Sequence, residues 1–518
     1  MRTGAVLSLL AALPLLLGCA REAPPAPPML VVGIDGGEWK VIEELWRQGR
    51  LPVLRDLAER GVHGPLDTDY AASPVIWTTI ATGRRPRDHG ITDFVVPTPR
   101  GDVPISSDLR RVPALWNMLS TTGRRVAVLG WWVTWPVEEV AGVMLSDRSL
   151  LGLDRAEFPP GLEGRLDPAL AVLDGSPGGF DLGDPVQRRD RLVAELAKDL
   201  VTQPFDLWMV YFRSADVVSH RDWKYFEPEA FESVDPAALA AGAERVPRAY
   251  EAIDRALGEL LAAAPPATNV LVVSDHGFVA SPKEKAQVLF DLDAVLERLG
   301  YLERGAAGVD FAHTKVYSFN SPKHRKGKTV RFSLAGREAG GAVLPRQRAE
   351  VRAALDRDLQ RVTYDDGVPV FWIRDARPAE RRDGADFVIG VSNDAPSRTL
   401  WLDGEPFEGP VEGITRITGT HDRHTRGIFL AAGPDIAPGA APAGIDIHDL
   451  AGTILYGLGL PAGEDFAGSV RQELFSSAFR RRFPARTVTS WGRRTAGEVS
   501  TSEADDRLID ELGALGYL

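Results

Sequence analysis

Short apolar runs, each ending at a polar residue or a glycine, recur along the chain. Runs of this kind are typical of strands that are buried on both faces, as in parallel sheets. The runs are Met29–Ile34, Val126–Leu129, Leu207–Phe212, Val270–Val273, Phe387–Val391 and Ile428–Ala432. Segments with helical patterns lie between them, including Trp39–Gln48, Leu192–Leu200 and Ala249–Ala263. The alternation predicts an α/β fold, in which a doubly wound, mostly parallel sheet carries helices on both faces.

The length of the chain, 518 residues, is large for one simple core. We therefore expect a single large α/β domain that carries an insertion. The texture of the sequence changes over residues 287–375, where basic clusters and glycine-rich turns appear, and this stretch is predicted to be an insertion or cap. The predicted catalytic core then has two parts, 29–286 and 376–480, and a carboxyl-terminal extension follows over 481–518.

The first 18 residues are typical of an export signal, because Arg2 is followed by an apolar run through Leu17 that is too short to be a confident membrane span. The run ends at Cys19, the only cysteine, so an intramolecular disulfide bond is impossible. Residues 16–19 resemble a bacterial lipobox, which implies that Cys19 is lipidated and that the protein is an exported cell-envelope lipoprotein, at a periplasm-facing membrane or the cell surface. The proline-rich residues 19–28 would form the tether. The alternative is an ordinary cleaved signal with an incidental cysteine.

The overall charge narrows the classes of partner. A net charge of −12 argues against binding a nucleic-acid polymer through a broad basic surface. It does not exclude a small phosphate ester, because a cleft becomes locally cationic when metal ions are bound.

Three aspartates follow strand-like runs directly or within a few residues: Asp35, Asp216 and Asp275. Ligands of open α/β sheets bind beyond the carboxyl ends of the strands, so polar residues at these positions are candidates for a site. Each aspartate alone could equally be a helix cap or a turn residue. The argument for a site therefore depends on what accompanies them.

Histidines accompany two of these aspartates. His220 lies four residues after Asp216, which puts both on one face of a helix, and His276 directly follows Asp275. Aspartate and histidine are ligands that zinc and manganese accept in hydrolytic sites. Together these residues predict divalent metal ions at the edge of the sheet.

A further imidazole precedes the strand Ile428–Ala432. His421 and His424 are both candidates there, and His421 is favoured because the glycine of Gly419-Thr420-His421 allows a close backbone approach. With this residue, the three carboxylates and the imidazoles are enough for two metal ions. Such a pair can stabilise both the attacking and the leaving oxygen of a displacement at phosphorus.

A Thr-Gly-x-x-Pro-x-x-His-Gly pattern runs from Thr82 to Gly90. It resembles the nucleophile region of the alkaline phosphatase superfamily, in particular of the type I phosphodiesterase/nucleotide pyrophosphatase branch. That resemblance places the nucleophile nine residues before Thr82, at Ser73. At the start of a helix, the helix dipole would also favour a bound phosphate. The alternative is that Ser73 merely caps this helix ahead of Pro74.

The same resemblance implies the ligand sets and the reaction. Two divalent ions, zinc or manganese, would be held by two groups of residues, and His89 would support the site without ligating metal. The groups are Asp35, Ser73, Asp275 and His276 for one ion, and Asp216, His220 and His421 for the other. The implied activity is that of a phosphodiesterase or phosphomonoesterase with a covalent phospho-enzyme intermediate, acting on a small-molecule, lipid or glycan phosphate ester. A transferase of a phospho-group to a lipid or glycan, or an inactive surface lipoprotein of the same fold, are the alternatives.

The sequence departs at two places from the patterns of the families that it resembles. Nucleotide pyrophosphatases of this branch have an asparagine where this chain has Phe94, which argues against a nucleotide substrate. The formylglycine-forming sulfatases need a proline and an arginine where this chain has Val75 and Trp77, which argues against sulfate esters. The aromatic residues Trp131, Trp132 and Trp135 either line a leaving-group pocket or belong to the core.

Overall fold

The computed structural model describes residues 26–98, 101–162, 164, 181, 183–305, 308–319, 327–377, 380–381, 384–392 and 396–517. The expected export signal, Cys19 and most of the tether lie outside these residues. In the described part of the chain, no helix combines the length and the apolar character that crossing a membrane requires.

A nine-stranded sheet forms the centre of the molecule and confirms the predicted α/β fold. In spatial order its strands are Gly439–Ala440, Val62–Leu66, Gly427–Ala432, Asn269–Val273, Met29–Ile34, Leu207–Phe212, Val126–Leu129, Gly142–Leu145 and Glu157–Phe158. The five strands from Asn269–Val273 to Gly142–Leu145 are parallel to one another. Their carboxyl ends therefore meet at one edge of the sheet.

Helices cover both faces of this sheet. In the strand Met29–Ile34, Leu30, Val32 and Ile34 join one apolar cluster, and Met29 and Val31 join the other. This is the two-residue alternation of a strand that is buried on both sides. The first cluster is covered by the helices Trp39–Arg47, Pro52–Arg60, Pro185–Val201, Ser214–Phe226 and Arg245–Ala263. The second is covered by Ser73–Thr82, Leu115–Thr121, Ile447–Gly457 and Ser477–Arg482.

Two of the strand predictions were wrong about how the strand pairs with its neighbours. The run Ile428–Ala432 lies in the central sheet, but it is antiparallel to both of its neighbours. The run Phe387–Val391 lies in a separate, four-stranded antiparallel sheet. An unbroken apolar run indicates that both faces of the strand are buried. It contains no information about the direction of the neighbouring strand.

A second apolar core contains side chains from Val288 to Leu402. It is built on the four-stranded sheet and on the helices Leu292–Arg298 and Arg348–Leu359. The strands of that sheet are Val316–Ser318, Gly327–Phe332, Phe387–Val391 and Phe371–Asp375, in spatial order. The core therefore includes residues on both sides of position 375, where the predicted cap ends.

An antiparallel pair of long strands, Val279–Phe290 and Val411–Thr420, connects this second core to the central sheet. In this pair Val279 lies opposite Thr420. The chain therefore leaves the sheet edge just after His276 and returns to it just before His421.

The carboxyl-terminal segment packs back onto the molecule. Its helix, Asp505–Ala514, buries Ile509 and Leu512 against Phe94 and Val95. The predicted extension over 481–518 thus ends beside the edge of the sheet where the candidate residues lie.

Candidate active site

Three neighbouring parallel strands deliver the aspartates to one place. Asp35 directly follows the strand Met29–Ile34, and Asp275 comes just after Asn269–Val273. Asp216 is the third residue of the helix Ser214–Phe226, which follows the third of these strands. Because these strands pair side by side in parallel, the three carboxylates meet at their carboxyl ends.

The first group contains Asp35, Asp275 and His276, whose ligand atoms all lie within 4.8 Å of one another. All three side chains are buried. The Nε2 atom of His276 lies 3.4 Å from Asp275 Oδ2 and 3.7 Å from Asp35 Oδ1. The Nδ1 atom of His276 lies 3.1 Å from the Gly277 carbonyl oxygen. A hydrogen bond donated by Nδ1 fixes the tautomer in which Nε2 presents its lone pair to the carboxylates.

The second group contains Asp216, His220 and His421, with the same spacing limit of 4.8 Å. The Nε2 atom of His220 lies 3.4 Å from Asp216 Oδ1, while its Nδ1 atom lies 3.0 Å from the Gly419 carbonyl oxygen. The predicted separation of four residues on a helix is what brings Asp216 and His220 together. The His421 ring stacks on the ring of His276 at 3.4 Å between centroids, so the two groups are in contact.

The two candidate histidines of the last loop have different surroundings. His421 directly follows the strand Val411–Thr420 and belongs to the second group. His424 is exposed, and its ring lies 3.3 Å from the Nε atom of Arg423. The geometry therefore brings His421 to the other ligand candidates and leaves His424 outside them.

Ser73 is the first residue of the buried helix Ser73–Thr82. Its Oγ atom lies 3.5 Å from Asp35 Oδ1 and 3.4 Å from His276 Nε2. The residue at the cap position is Ala72, and no side chain caps this end of the helix by a hydrogen bond. The hydroxyl group of Ser73 is thus directed to the first group instead of to the backbone of its own helix. The helix ends at Gly83, whose φ of +67° is the left-handed conformation that favours glycine.

Burial and mutual repulsion shape the protonation of the carboxylates. Burial raises the pKa of Asp35, and the charge of Asp216 raises it further. Burial and the adjacent Asp35 raise the pKa of Asp275 well above its ordinary value. Burial would also raise the pKa of Asp216, but neighbouring imidazoles, first His220, outweigh it and lower that pKa. Burial lowers the pKa of His276 and His421 and so favours their neutral forms, which are the forms that bind metal.

Several atoms of the two groups are buried without a hydrogen-bond partner among the described residues: Asp216 Oδ1, Asp275 Oδ2 and His421 Nδ1. Leaving such atoms unsatisfied costs free energy, about 1–3 kcal/mol each and more for charged groups. Divalent cations would satisfy all three atoms and would remove the repulsion between the carboxylates. The described residues therefore fit two adjacent sites for divalent metal ions.

Two tyrosines that the sequence did not point to contact the aspartates. The Tyr211 hydroxyl group donates to Asp35 Oδ2. The Tyr517 hydroxyl group donates to Asp216 Oδ2 at 2.6 Å. Tyr211 is hidden in an apolar strand, and Tyr517 comes from the carboxyl-terminal extension, so neither had a local signal of a site.

His89 lies outside both groups and supports the helix that carries Ser73. Its Nδ1 atom accepts a hydrogen bond from the Ile91 N–H at 3.1 Å. Its Nε2 atom therefore carries the proton and lies 3.1 Å from Thr79 Oγ1, in the middle of that helix. His89 thus contacts the helix that carries Ser73, and its supporting role stays a prediction.

The three tryptophans of the aromatic cluster have separate positions. Trp131 is buried against Trp77, with ring centroids 4.9 Å apart, and Trp135 is buried under the guanidinium group of Arg148. Only Trp132 of the three reaches the site, where its Nε1 atom lies 3.4 Å from Asp35 Oδ2 and donates to the Tyr211 hydroxyl at 2.6 Å. Beside it is a pocket lined by Phe94, Trp132, Arg148, Arg189, Arg213 and Leu512, among others.

Comparison with known proteins identifies related sequences and folds. The model of one family, type I phosphodiesterase / nucleotide pyrophosphatase, matches residues 29–393. No curated protein matches the sequence. Among solved structures, human ectonucleotide pyrophosphatase / phosphodiesterase 5 is 14% identical with a TM-score of 0.43, covering 87% of this chain and 100% of that chain. An inactive variant of the murine enzyme in complex with AMP is 15% identical with a TM-score of 0.41, with the same coverage. Phosphonoacetate hydrolase from Sinorhizobium meliloti 1021 in complex with phosphonoformate is 17% identical with a TM-score of 0.41, covering 84% of this chain and 95% of that chain.

Proposed function

Since the chain belongs to the type I phosphodiesterase / nucleotide pyrophosphatase family, and is thus a phosphoester hydrolase of that type, we propose that it uses Ser73 as the nucleophile beside two divalent metal ions. The observation that carries this proposal is the position of Ser73 Oγ. It lies within 3.5 Å of both Asp35 Oδ1 and His276 Nε2, at the start of a buried helix. No capping role accounts for that direction of the hydroxyl group.

The residues that would hold the ions are those of the two groups. Asp35, Asp275 and His276, with the Ser73 oxygen, would hold one ion, and Asp216, His220 and His421 would hold the other. When bound, such ions lower the pKa of a nucleophilic hydroxyl group and stabilise the charge on the attacking and leaving oxygens. Zinc fits the mixture of imidazole and carboxylate ligands, and manganese is the second candidate.

The residues of the chain position and deprotonate the nucleophile. Ser73 Oγ forms a bond to phosphorus while the bond from phosphorus to the leaving-group oxygen breaks. Asp35 Oδ1, at 3.5 Å, is an acceptor near the hydroxyl proton. The dipole of the helix Ser73–Thr82 favours the negative charge of the phosphoryl group at its first residue. Water then cleaves the bond between Oγ and phosphorus and regenerates the serine.

The surroundings of the leaving group suggest the substrates to test. The pocket next to Asp35 is lined by the rings of Phe94 and Trp132 and by Arg213. Aromatic rings and a guanidinium group suit a leaving group that is aromatic or anionic. Nitrophenyl esters are therefore suitable probes, and Phe94 in place of an asparagine makes a nucleotide the less favoured substrate.

The experiment is an ester screen with protein stripped of metal and then reconstituted with zinc or manganese. We expect hydrolysis of bis(nitrophenyl) phosphate or nitrophenyl phosphate only after an ion is added, and about two ions per chain by elemental analysis. Nitrophenyl sulfate is expected to stay intact. A stoichiometry near zero, or no hydrolysis of any phosphate ester with either ion, would contradict the proposal.

For the location of the protein, we propose that the chain is exported and anchored to a membrane of the cell envelope through a lipid on Cys19. The support is the apolar run that ends at this single cysteine. The proline-rich segment that follows would hold the catalytic domain away from the membrane surface.

A further inference from the structure

The carboxyl-terminal segment brings a hydroxyl group to the second group of candidate ligands. Tyr517 Oη lies 2.6 Å from Asp216 Oδ2 and 3.1 Å from His220 Nε2. We propose that Tyr517 is a positioning residue for this metal site, an inference that rests on the proposed function. By holding one oxygen of Asp216, it directs the other oxygen to the ion.

The direction of the hydrogen bond follows from the number of protons. A phenol has one proton to donate, and the carboxylate oxygen at 2.6 Å is both closer and more basic than the imidazole nitrogen at 3.1 Å. The Nδ1 atom of His220 donates to the Gly419 carbonyl oxygen, so its Nε2 atom has a lone pair. Tyr517 therefore binds Asp216 and leaves the lone pair of His220 for the ion.

The oxygen of Asp216 that Tyr517 does not contact lacks a hydrogen bond among the described residues. Asp216 Oδ1 is buried without a hydrogen-bond partner among the described residues, 3.4 Å from His220 Nε2. His421 Nδ1, in the same group, also has no partner there. With Oδ2 occupied by the tyrosine, the second group presents Asp216 Oδ1 and His421 Nδ1 as atoms without a hydrogen-bond partner among the described residues.

The first group has the same arrangement, built from a different part of the chain. There Tyr211 donates to Asp35 Oδ2, while Asp35 Oδ1 faces Ser73 and His276. Each group thus contains one aspartate whose Oδ2 atom accepts a hydrogen bond from a tyrosine hydroxyl group. Hydrogen bonds to ligating carboxylates fix the orientation that binding requires.

The segment that carries Tyr517 is held firmly. The Tyr517 ring stacks on Phe94, with centroids 4.5 Å apart and planes at 16°. Leu515 is buried, and Arg213 binds Glu511 at 2.7 Å in the preceding helix. Phe94, the residue that departs from the family pattern, is therefore the platform for this tyrosine.

The test is a titration of zinc into the metal-free full-length protein by calorimetry, for the wild type and Tyr517→Phe. This variant removes one oxygen and keeps the ring that stacks on Phe94, so the fold is expected to persist. We expect one ion to bind as in the wild type and the other to bind about 10–100-fold more weakly. The matched control is Tyr301→Phe. The Tyr301 hydroxyl group also donates to an aspartate, Asp358 at 2.7 Å, but Tyr301 belongs to the second apolar core and to neither ligand group. It should titrate like the wild type.

The outcomes separate this inference from the proposed function. If the wild type binds two ions and Tyr517→Phe binds both equally well, the inference is overturned and the proposed function stands. If the wild type binds no zinc, the proposed function itself fails. Higher kcat/KM in Tyr517→Phe with unchanged zinc affinity would mean that the segment competes with the substrate, which also overturns the inference. In chelator Tyr517→Phe should melt at a lower temperature than the wild type, because buried Asp216 Oδ2 loses its hydrogen bond, so the zinc affinity of the folded protein decides the inference and the melting temperature does not.

Discussion

His421 and His424 lie three residues apart and differ in what surrounds them. The His421 ring stacks on His276 within the second ligand group, while His424 is exposed beside Arg423. His421→Ala should therefore lose one bound ion and at least about 100-fold in kcat/KM, since a direct ligand matters more than its supporting partners.

The paired control is His424→Ala, which should keep both ions and nearly all activity because exposed side chains contribute little. Elemental analysis and ester hydrolysis under saturating zinc measure both variants. The reversed pattern would assign the ligand to His424.

Single residues also show which parts of the candidate site could be predicted from the sequence. Asp35 and Asp275 were predictable because a strand, its end and the polar residue beyond it are adjacent in the chain. Tyr517 was not predictable, because it contacts Asp216 across a separation of 301 positions and nothing in its own neighbourhood indicates a site. Contacts of that kind depend on tertiary packing, which a local pattern does not contain.

At the scale of elements, the helix that carries Ser73 depends on a buried neutral histidine. Burial lowers the pKa of His89 to about 3, and the charges of Arg110, His448 and Arg84 lower it in the same direction. Its Nδ1 atom accepts the Ile91 N–H, so a proton on Nδ1 would break that bond. The neutral imidazole is therefore part of the folded structure.

The consequence for stability follows from linkage. His89 has a lower pKa in the folded state than the ordinary value of about 6.5, so the unfolded chain binds the proton more readily. Stability from this residue is present above about pH 6.5 and is lost progressively as the pH falls towards about 3. At pH 5 the loss amounts to about 2 kcal/mol.

Replacing His89 by Gln removes this titration. We expect the free energy of unfolding of the wild type to fall between pH 7.5 and pH 5 by about 2 kcal/mol more than that of His89→Gln. Denaturant titrations in chelator measure the difference, and the exposed His424→Gln should follow the wild type. Parallel pH dependences for the wild type and His89→Gln would mean that His89 is not held neutral.

The strands show a second limit of prediction at this scale. The bounds of Met29–Ile34, Val126–Leu129 and Leu207–Phe212 were predicted as the structure has them, because burial on both faces leaves an unbroken apolar run. The sequence did not predict the direction of Ile428–Ala432 or the sheet that contains Phe387–Val391, because strands far along the chain decide how these two strands pair.

For the molecule as a whole, one long excursion of the chain separates residues that meet in the candidate site. The chain leaves the sheet edge after His276 and returns before His421 through the paired residues Val279 and Thr420. The second apolar core lies within this excursion. Any change that loosens the pair of long strands should therefore act on His421, and also on His220, whose Nδ1 atom donates to the carbonyl oxygen of Gly419 in the same strand.

The proposed anchor is also a property of the whole molecule. Cys19→Ser in the full-length gene should move the protein from the membrane fraction to the soluble fraction, because the sequence after Cys19 contains no apolar run long enough to span a bilayer. Fractionation followed by a carbonate wash measures this, with Ser73→Ala as the control that should stay with the membrane. A Cys19→Ser protein that still sediments with membranes would show that the anchor lies elsewhere.

The most direct test of the account is a search for phosphate on Ser73 itself. Zinc-loaded protein is mixed with bis(nitrophenyl) phosphate, quenched in acid during turnover, digested and analysed by mass spectrometry. We expect a phosphoryl-containing adduct on the peptide that begins the helix Ser73–Thr82, located at Ser73, and no adduct and no turnover in Ser73→Ala. Turnover in Ser73→Ala close to that of the wild type, or an adduct on Thr78 or Thr79 instead, would contradict the account.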